Sequence, residues 1–173
     1  MNEVRRLWQI DEAAARGLTE VLLDCVQGGA SVGFMWPLAP EQALGFWQRI
    51  RPAVAAGERA LLVAEDAQGI VGTVQLVLAQ PDNQPHRADL AKLQVHRRAR
   101  RQGLAEALMR AAEALARDCG KTLLVLDTVS GSDADRLYTR LGWQHTGDIP
   151  DFALMPHGGL APTSVYWRRV PPA

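Results

Sequence analysis

Four arginines stand within residues 97–101, in the segment HRRARRQGLAEALM. The apolar spacing after them predicts a helix, and a helix N-terminus favours anions because it carries unpaired N–H groups and partial positive charge. Gly103 and Ala105 have no bulky side chain, so an anion can approach the backbone there. The segment therefore indicates a site for a phosphate or pyrophosphate group. A solvated basic turn without a ligand is the alternative.

A second glycine-rich stretch, GGASVGFM at Gly28–Met35, begins like a phosphate-binding P-loop. A P-loop continues with Lys and then Ser or Thr, whose ammonium and hydroxyl groups reach the phosphates and Mg²⁺. Phe34 and Met35 occupy those positions, which argues against a P-loop kinase. No G-x-G-x-x-G sequence follows a predicted strand, which argues against a dinucleotide-dependent enzyme.

Hydrophobic periodicity predicts a single α/β domain over residues 1–173, with helices packed against a mixed sheet. Helices are predicted at 11–26, 40–56, 103–118 and 132–141. Strands are predicted at 4–10, 59–65, 69–79, 87–95, 122–128 and 163–170. The strand 122–128 is nearly all apolar, as expected for a central strand that is buried on both faces.

The composition, with 47% hydrophobic and 22% charged residues, is that of an ordinary globular protein. The zero formal net charge argues against a nucleic-acid partner, because nucleic-acid-binding domains are usually basic. No apolar run is long enough to span a bilayer, and MNEVRRLWQIDEAA lacks the apolar run of a signal peptide. We therefore expect a cytoplasmic protein without a membrane partner.

The cysteines and histidines predict no disulfide framework and no bound metal. The two cysteines and four histidines lack the spacing of metal ligands. The histidines are expected at the surface; they are His86, His96, His145 and His157.

Two motifs resemble the GNAT superfamily of N-acetyltransferases. RRQGLA at Arg100–Ala105 resembles the family's acyl-CoA loop, Arg/Gln-x-x-Gly-x-Gly/Ala, although Arg101 replaces one common loop glycine. ADRLYTRLGW at 134–143 is similar to the family segment A-x-x-L-Y-x-x-x-G-F/W. The resemblance implies acetyl-CoA as co-substrate, a possible homodimer, and the GNAT fold, a mixed, mostly antiparallel sheet of about seven strands flanked by four helices.

Over almost the full chain, GGASVGFM, RADLAKLQV, LDT and PTSVYW together resemble the tabtoxin-resistance type of acetyltransferase. Those bacterial enzymes acetylate the amino group of a β-lactam amino-acid toxin. The resemblance implies that the glycine-rich loop forms part of the wall for the acceptor amine, with Gly29, Ser31 and Phe34 as substrate-binding residues. A loop that only connects two helices is the alternative.

Acetyl transfer to an amine needs a base, because an alkyl ammonium has a pKa near ~10. Asp89 is the first candidate, and strand alternation predicts that Asp89, Ala91, Leu93 and Val95 share one face. Family members often carry Glu at this position, so the shorter Asp implies relay through a water. Asp127 ends the most apolar strand and is predicted to hold the substrate ammonium or to act as a second base. A solvent-facing charge for Asp89 and a turn contact for Asp127 are the alternatives.

The resemblance assigns the remaining catalytic and cofactor roles. Tyr138 is implied to protonate the departing CoA thiolate, with a core tyrosine as the alternative. A backbone N–H near Val95 is expected to stabilise the oxyanion. The predicted cofactor-binding residues are Leu93, Gln94, Val95, Arg100, Arg101, Gln102, Gly103, Leu104, Ala105, Ser132 and Tyr138.

Two further features bear on the acceptor. Aromatic residues are candidates for its pocket, with core packing as the alternative; they are Phe34, Trp36, Trp143 and Phe152. Residues 147–163 are predicted to form a turn-rich loop that closes over the acceptor. The sequence thus predicts an acetyl-CoA-dependent N-acetyltransferase acting on a small amine. Acetylation of proteins or peptides and a non-catalytic acyl-CoA-binding module are the alternatives.

Overall fold

The structure is a computed structural model that describes residues 3–171. Its strands are β1 Glu3–Leu7, β2 Arg59–Asp66, β3 Gly69–Val77, β4 Arg87–Val95, β5 Leu123–Val129, β6 Gln144–Leu154 and β7 Leu160–Arg169. Its helices are α1 Glu12–Gln27, α2 Pro40–Ala55, α3 Leu104–Asp118 and α4 Asp133–Arg140, with a short 3-10 helix at Arg97–Ala99. The strands form one mixed sheet in the order β1-β2-β3-β4-β5-β7-β6, which confirms the predicted α/β architecture.

Helices cover both faces of this sheet. Side chains of α1 and α2 share an apolar cluster with Leu61 and Val63 of β2, whereas those of α3 and α4 share a cluster with Leu62 and Ala64. Neighbouring residues of β2 therefore face opposite helix layers, as the two-residue period of a strand requires. No helix within residues 3–171 combines the length and the hydropathy needed to cross a bilayer.

The sheet opens between β4 and β5, which run parallel. Arg87–Asp89 pair with Leu123–Val125, and the pairing goes no further along either strand. On their other sides, β4 continues to pair with β3, and β5 pairs with β7 over its whole length. The C-terminal halves of β4 and β5 therefore leave a cleft in which backbone groups are available to a ligand.

A β-bulge interrupts β4 at Lys92. Ala91 lies opposite Gln75 and Gln94 lies opposite Thr73, so β4 advances three residues where β3 advances two. Lys92 adopts a left-handed backbone conformation with φ 56°. An extra residue of this kind reverses the alternation of the side chains that follow it.

Because of this bulge, one prediction is wrong: the residues of β4 expected on a common face do not all share it. They are Asp89, Ala91, Leu93 and Val95. Leu93 and Val95 pack against the apolar cluster that also contains Leu90. Because Leu90 directly follows Asp89 in a regular part of the strand, the two point to opposite faces. Asp89 therefore does not share a face with Leu93 or Val95.

The prediction of a turn-rich loop at 147–163 is also wrong, because this segment forms most of a β-hairpin. β6 and β7 pair from Gln144 opposite Trp167 to Leu154 opposite Leu160. A register shift after Ile149 hides the alternation of β6 from a reading of the sequence pattern. Interstrand pairing holds this segment along most of its length, and its closure over the acceptor stays a prediction.

Candidate active site

Two of the four arginines in the basic segment are engaged in holding the segment in place. Arg97 donates its backbone N–H and its Nε to the Asp24 carboxylate of α1, at 2.8 and 2.7 Å. Arg98 forms an ion pair with Asp66 at the end of β2. These contacts tie the segment between β4 and α3 to α1 and to the end of β2, and they engage the two guanidinium groups with carboxylates.

The other two arginines directly precede α3 and are exposed. Arg100 donates Nε to the carbonyl of Val95 at 3.1 Å, and Arg101 has a left-handed φ of 63°. Gly103, with φ 77°, is the N-cap of α3 and supplies no side-chain cap. The helix's own hydrogen bonds begin with Ala107 N–H to the carbonyl of Gly103 at 3.0 Å. The N–H groups of the first turn therefore remain open to an anion, as the chemistry of a pyrophosphate requires.

The end of β4 lies beside this helix N-terminus. The Val95 carbonyl accepts a second hydrogen bond, from the Cys25 thiol at 3.5 Å. Burial raises the pKa of Cys25, and the nearby charge of Arg100 only partly offsets that effect, so the group is a neutral thiol. The Gln94 side chain is buried, so only its backbone can face a ligand in the β4–β5 cleft.

Asp127 and Tyr138 lie close enough to influence each other electrostatically. Asp127 is exposed on β5 and accepts a hydrogen bond from the Thr163 hydroxyl of β7 at 3.0 Å. Tyr138 is only 4% exposed. Burial and, secondarily, the Asp127 charge raise the pKa of the Tyr138 phenol far above its usual range, which keeps it protonated. The pair thus combines an accessible carboxylate with a group that holds its proton.

Asp89 lies in a different setting. It forms an ion pair with Arg87 and accepts a hydrogen bond from the Gln80 amide at 3.2 Å. It stands where β4 is still paired with β5, before the cleft opens. Two side chains therefore engage Asp89 outside the open part of the cleft, whereas Asp127 lies beyond the last β4–β5 pair and accepts from the Thr163 hydroxyl.

The glycine-rich loop wraps the ammonium of Lys92. Lys92 Nζ donates to the carbonyl of Val32 at 2.6 Å and lies 5.9 and 5.7 Å from the ring centroids of Phe34 and Phe46. Gly33 has φ 89°, and a Cβ at this position would stand 3.1 Å from Nζ. The loop therefore needs glycine at this residue because of its backbone conformation, and the group that approaches it closely is a lysine of β4.

The same loop contacts the turn of the β6–β7 hairpin. Trp36 N–H donates to the carbonyl of Pro156 at 2.9 Å, and the His157 ring hydrogen bonds to the carbonyl of Gln27 at 3.0 Å. Gly29, with φ 87°, lies under the His157 ring. The loop that contains the predicted residues Gly29, Ser31 and Phe34 is thus held between β4 and the hairpin.

Lys92 and Arg59 belong to the site but do not appear among the residues predicted from the sequence. Burial lowers the pKa of both side chains, and the charge of Arg59 lowers that of Lys92 further. Asp127 acts in the opposite direction on Lys92. The sequence does contain a signal for Lys92, a lysine in the middle of the predicted strand RADLAKLQV. Charged residues are seldom buried in a strand unless they have a partner.

The other predicted residues have structural contacts. Ser132 is the N-cap of α4 and accepts from the N–H of Asp135 at 3.1 Å. Trp143 is 3% exposed and donates Nε1 to Glu113 at 3.0 Å, so it belongs to the core rather than to an acceptor pocket. Phe152 is 52% exposed on the hairpin. Within residues 3–171, no three His, Cys, Asp or Glu side chains are grouped to hold a metal ion.

The open β4–β5 cleft and the uncapped helix N-terminus at its end suit a ligand that combines an extended arm with a pyrophosphate, as acyl-CoA does. The sequence profile of the acetyltransferase (GNAT) family matches residues 16–143. The chain therefore belongs to the GNAT acetyltransferase family and is an acetyl-CoA-dependent N-acetyltransferase.

Solved structures of other acetyltransferases share the fold over nearly the whole chain. One is yncA, an acetyltransferase from Salmonella typhimurium with its cofactor acetyl-CoA (18% identity, 100% of this chain and 96% of that chain, TM-score 0.75). Another is described as a phosphinothricin N-acetyltransferase (16%, 99% and 99%, TM-score 0.77). A third is a ribosomal-protein-alanine N-acetyltransferase from Brucella melitensis (19%, 96% and 99%, TM-score 0.78). At these identities the likeness concerns the fold.

Proposed function

We propose that the protein transfers the acetyl group of acetyl-CoA to the primary amine of a small amino-acid-like molecule, by direct attack in a ternary complex. The observation that carries this proposal is the exposed Asp127 carboxylate, whose charge reaches the buried, protonated Tyr138. Acetyl transfer to an ammonium needs one group that accepts a proton and one that donates a proton. The two residues meet that need.

The chain's own backbone fits the cofactor. The open N–H groups at the start of α3, with Arg100 and Arg101, are suited to bind the pyrophosphate. The backbone of Leu93–Val95, on the side of β4 that faces the cleft, is suited to pair with the pantetheine arm. Acetyl-CoA supplies the acetyl group as a thioester, and the cleft brings that group and the amine together.

Asp127 takes a proton from the bound ammonium, and the free amine nitrogen forms its bond to the acetyl carbon. A backbone N–H near Val95 stabilises the charge that develops on the acetyl oxygen. The C–S bond then breaks, and Tyr138 donates its proton to the departing thiolate. After attack the nitrogen still carries a positive charge and two protons, and it loses one of these as the C–S bond breaks. That proton replaces the one that Tyr138 gives to the thiolate, and Asp127 releases the first proton to solvent, so the protons balance. Asp89 acting through a water is the alternative base.

The acceptor is proposed to be an amino-acid-like amine, with a tabtoxin-type β-lactam as the specific candidate. The sequence resemblance to toxin-resistance acetyltransferases supports it. The structural likeness to a protein described as a phosphinothricin N-acetyltransferase is consistent with an amino-acid acceptor. A peptide N-terminus is the second candidate, because a protein described as a ribosomal-protein-alanine N-acetyltransferase has the same fold. Cytoplasmic location, homodimer formation and the absence of nucleic-acid, membrane or metal partners stay predictions of the sequence.

The test measures acetyl-CoA-dependent release of free CoA with tabtoxinine-β-lactam, free amino acids, polyamines, aminoglycosides and short peptides. Asp127→Asn is expected to lower kcat by about 10²- to 10⁴-fold, the usual contribution of a general base. Asp82→Asn, which changes an exposed carboxylate on the β3–β4 loop, is the matched control. Turnover with peptides alone would replace the proposed acceptor by the second candidate. Tight acetyl-CoA binding without turnover of any amine would favour the non-catalytic module.

A further inference from the structure

Two partly buried cations, Arg59 and Lys92, share one face of the sheet. Neither forms an ion pair with a carboxylate of residues 3–171, although eleven such pairs occur in that part of the chain. Burial lowers the pKa of each side chain, and the charge of Arg59 lowers the pKa of Lys92 further. Charges removed from water are normally paired, so this arrangement indicates an anionic group that the protein itself does not supply.

Unpaired hydrogen-bond donors lie next to these cations. Arg59 Nη1 donates to Gln75 Oε1 at 2.6 Å, but Arg59 Nε and Gln75 Nε2 are buried and have no hydrogen-bond partner within residues 3–171. Gln75 is fully buried, and its Cα is paired with that of Ala91, the neighbour of Lys92. Both unpaired atoms are donors, and donors require an acceptor such as a carboxylate oxygen or a bridging water.

The glycine-rich loop contacts the Lys92 ammonium but supplies no negative charge to it. The Val32 carbonyl takes one N–H of the Lys92 ammonium, and the remaining two N–H groups have no protein acceptor within residues 3–171. The rings of Phe34 and Phe46 lie near the ammonium. The negative charge of Asp127 acts to raise the pKa of Lys92, which shows that this carboxylate acts on the ammonium electrostatically. The site therefore presents a positive group and a negative group to one ligand.

We propose that Lys92, supported by Arg59, binds the carboxylate of the acceptor while Asp127 receives its ammonium. The protein would thereby select zwitterionic amino acids over simple amines and over amino-acid amides. This inference rests on the proposed function for the identity of the acceptor, and it names the group that determines specificity at the same site.

The chain contains a matched control, because it has two lysines. Lys121 is also buried and donates to two backbone carbonyls, those of Leu78 and Pro85, at 2.9 and 2.8 Å. Both lysines therefore hold backbone segments together. Lys121, however, precedes the N-terminal end of β5, whereas Asp127 lies near the C-terminal end of that strand. Any effect that comes only from losing a buried ammonium is expected in Lys121→Met as well as in Lys92→Met.

The experiment measures binding, by calorimetric titration into the full-length enzyme saturated with CoA, which cannot react. The probes are tabtoxinine-β-lactam, L-methionine, and the α-carboxamide of each. The wild type is expected to bind the acids about 10- to 100-fold more tightly than the amides, the range of a charged hydrogen bond. Lys92→Met should abolish this preference, Lys92→Arg should retain most of it, and Lys121→Met should leave it unchanged.

Equal affinity for acids and amides in the wild type, or a preference that survives in Lys92→Met, would refute the inference. So would the absence of binding by all four probes. CoA release from a panel of amines, measured in parallel, separates this inference from the proposed function. Turnover of amines irrespective of a carboxylate would leave the proposed function standing and refute the inference. Lys92-dependent binding of the acids without turnover of any amine would support the inference and refute the proposed function.

Discussion

The contact between Asp24 and Arg97 is expected to control both the stability of the chain and its affinity for acetyl-CoA. The Asp24 carboxylate is only 10% exposed and accepts from the N–H and Nε of Arg97. Burial alone would raise its pKa, but the two Arg97 hydrogen bonds and the charges of His96 and Arg97 together outweigh burial, so the pKa lies below its usual range. Hydrogen bonds to a charged group each contribute about 1.5–3 kcal/mol. Because the amide of Asn keeps one acceptor oxygen, we expect Asp24→Asn to lower the free energy of unfolding by about 2 kcal/mol.

The pH dependence follows from the direction of that pKa. A carboxyl group whose pKa is lower in the folded state contributes its full stability above the unfolded pKa, about 3.9 for Asp. The contribution is lost as the pH falls through the lower folded value. The difference between wild type and Asp24→Asn should therefore be fully present at pH 5 and shrink below about pH 4.

Urea denaturation of the two proteins, with Asp82→Asn as the exposed control, measures this difference. A loss of about 2 kcal/mol corresponds to a midpoint shift of roughly 1 M urea, because m is about 1–3 kcal/mol/M. Acetyl-CoA should also bind more weakly to Asp24→Asn, since Arg97 stands at the entry to the cofactor loop. A midpoint within error of that of Asp82→Asn, or a difference that grows below pH 4, would refute the reasoning.

Three further substitutions test other parts of the site. Gly103→Ala should cost about 1–2 kcal/mol because φ is 77°, and it should weaken acetyl-CoA binding in calorimetry; an unchanged affinity would argue against this helix N-terminus as the pyrophosphate site. Leu108→Ala, at a fully buried position of α3, should lower the free energy of unfolding by about 2–5 kcal/mol in urea. Tyr138→Phe should lower kcat by about 10²-fold or more in steady-state assays. Tyr166→Phe, at the other of the chain's two tyrosines, is the control and should not lower it. Equal rates for the two variants would remove Tyr138 from the mechanism.

The sequence predicts the limits of β4 well but not the direction of its side chains. Residues 87–95 form the strand as expected, because the apolar pattern and the flanking turn residues are local signals. The bulge at Lys92 depends on the pairing of β4 with β3, which no local pattern encodes. One extra residue was enough to separate Asp89 from the face of Leu93 and Val95.

The basic segment shows a similar limit. The types and spacing of its residues predict a phosphate-binding turn, and the open N-terminus of α3 agrees with that prediction. Which arginines remain available cannot be read from the segment itself. Asp24 and Asp66 are 73 and 32 residues away from the arginines that they engage, and they leave only Arg100 and Arg101 beside the helix.

In the glycine-rich loop GGASVGFM, some features follow from the local sequence and others depend on distant residues. Its two positive-φ residues, Gly29 and Gly33, are local requirements that the sequence displays. Their purpose depends on distant partners, because the loop places the Val32 carbonyl on Lys92 and its far end on the hairpin turn at Pro156. A P-loop uses glycines so that backbone N–H groups can surround a phosphate. Here a backbone carbonyl faces a cation, which is the opposite polarity. The loop therefore holds a lysine in place, and a ligand that completes the site must bring negative charge to that lysine.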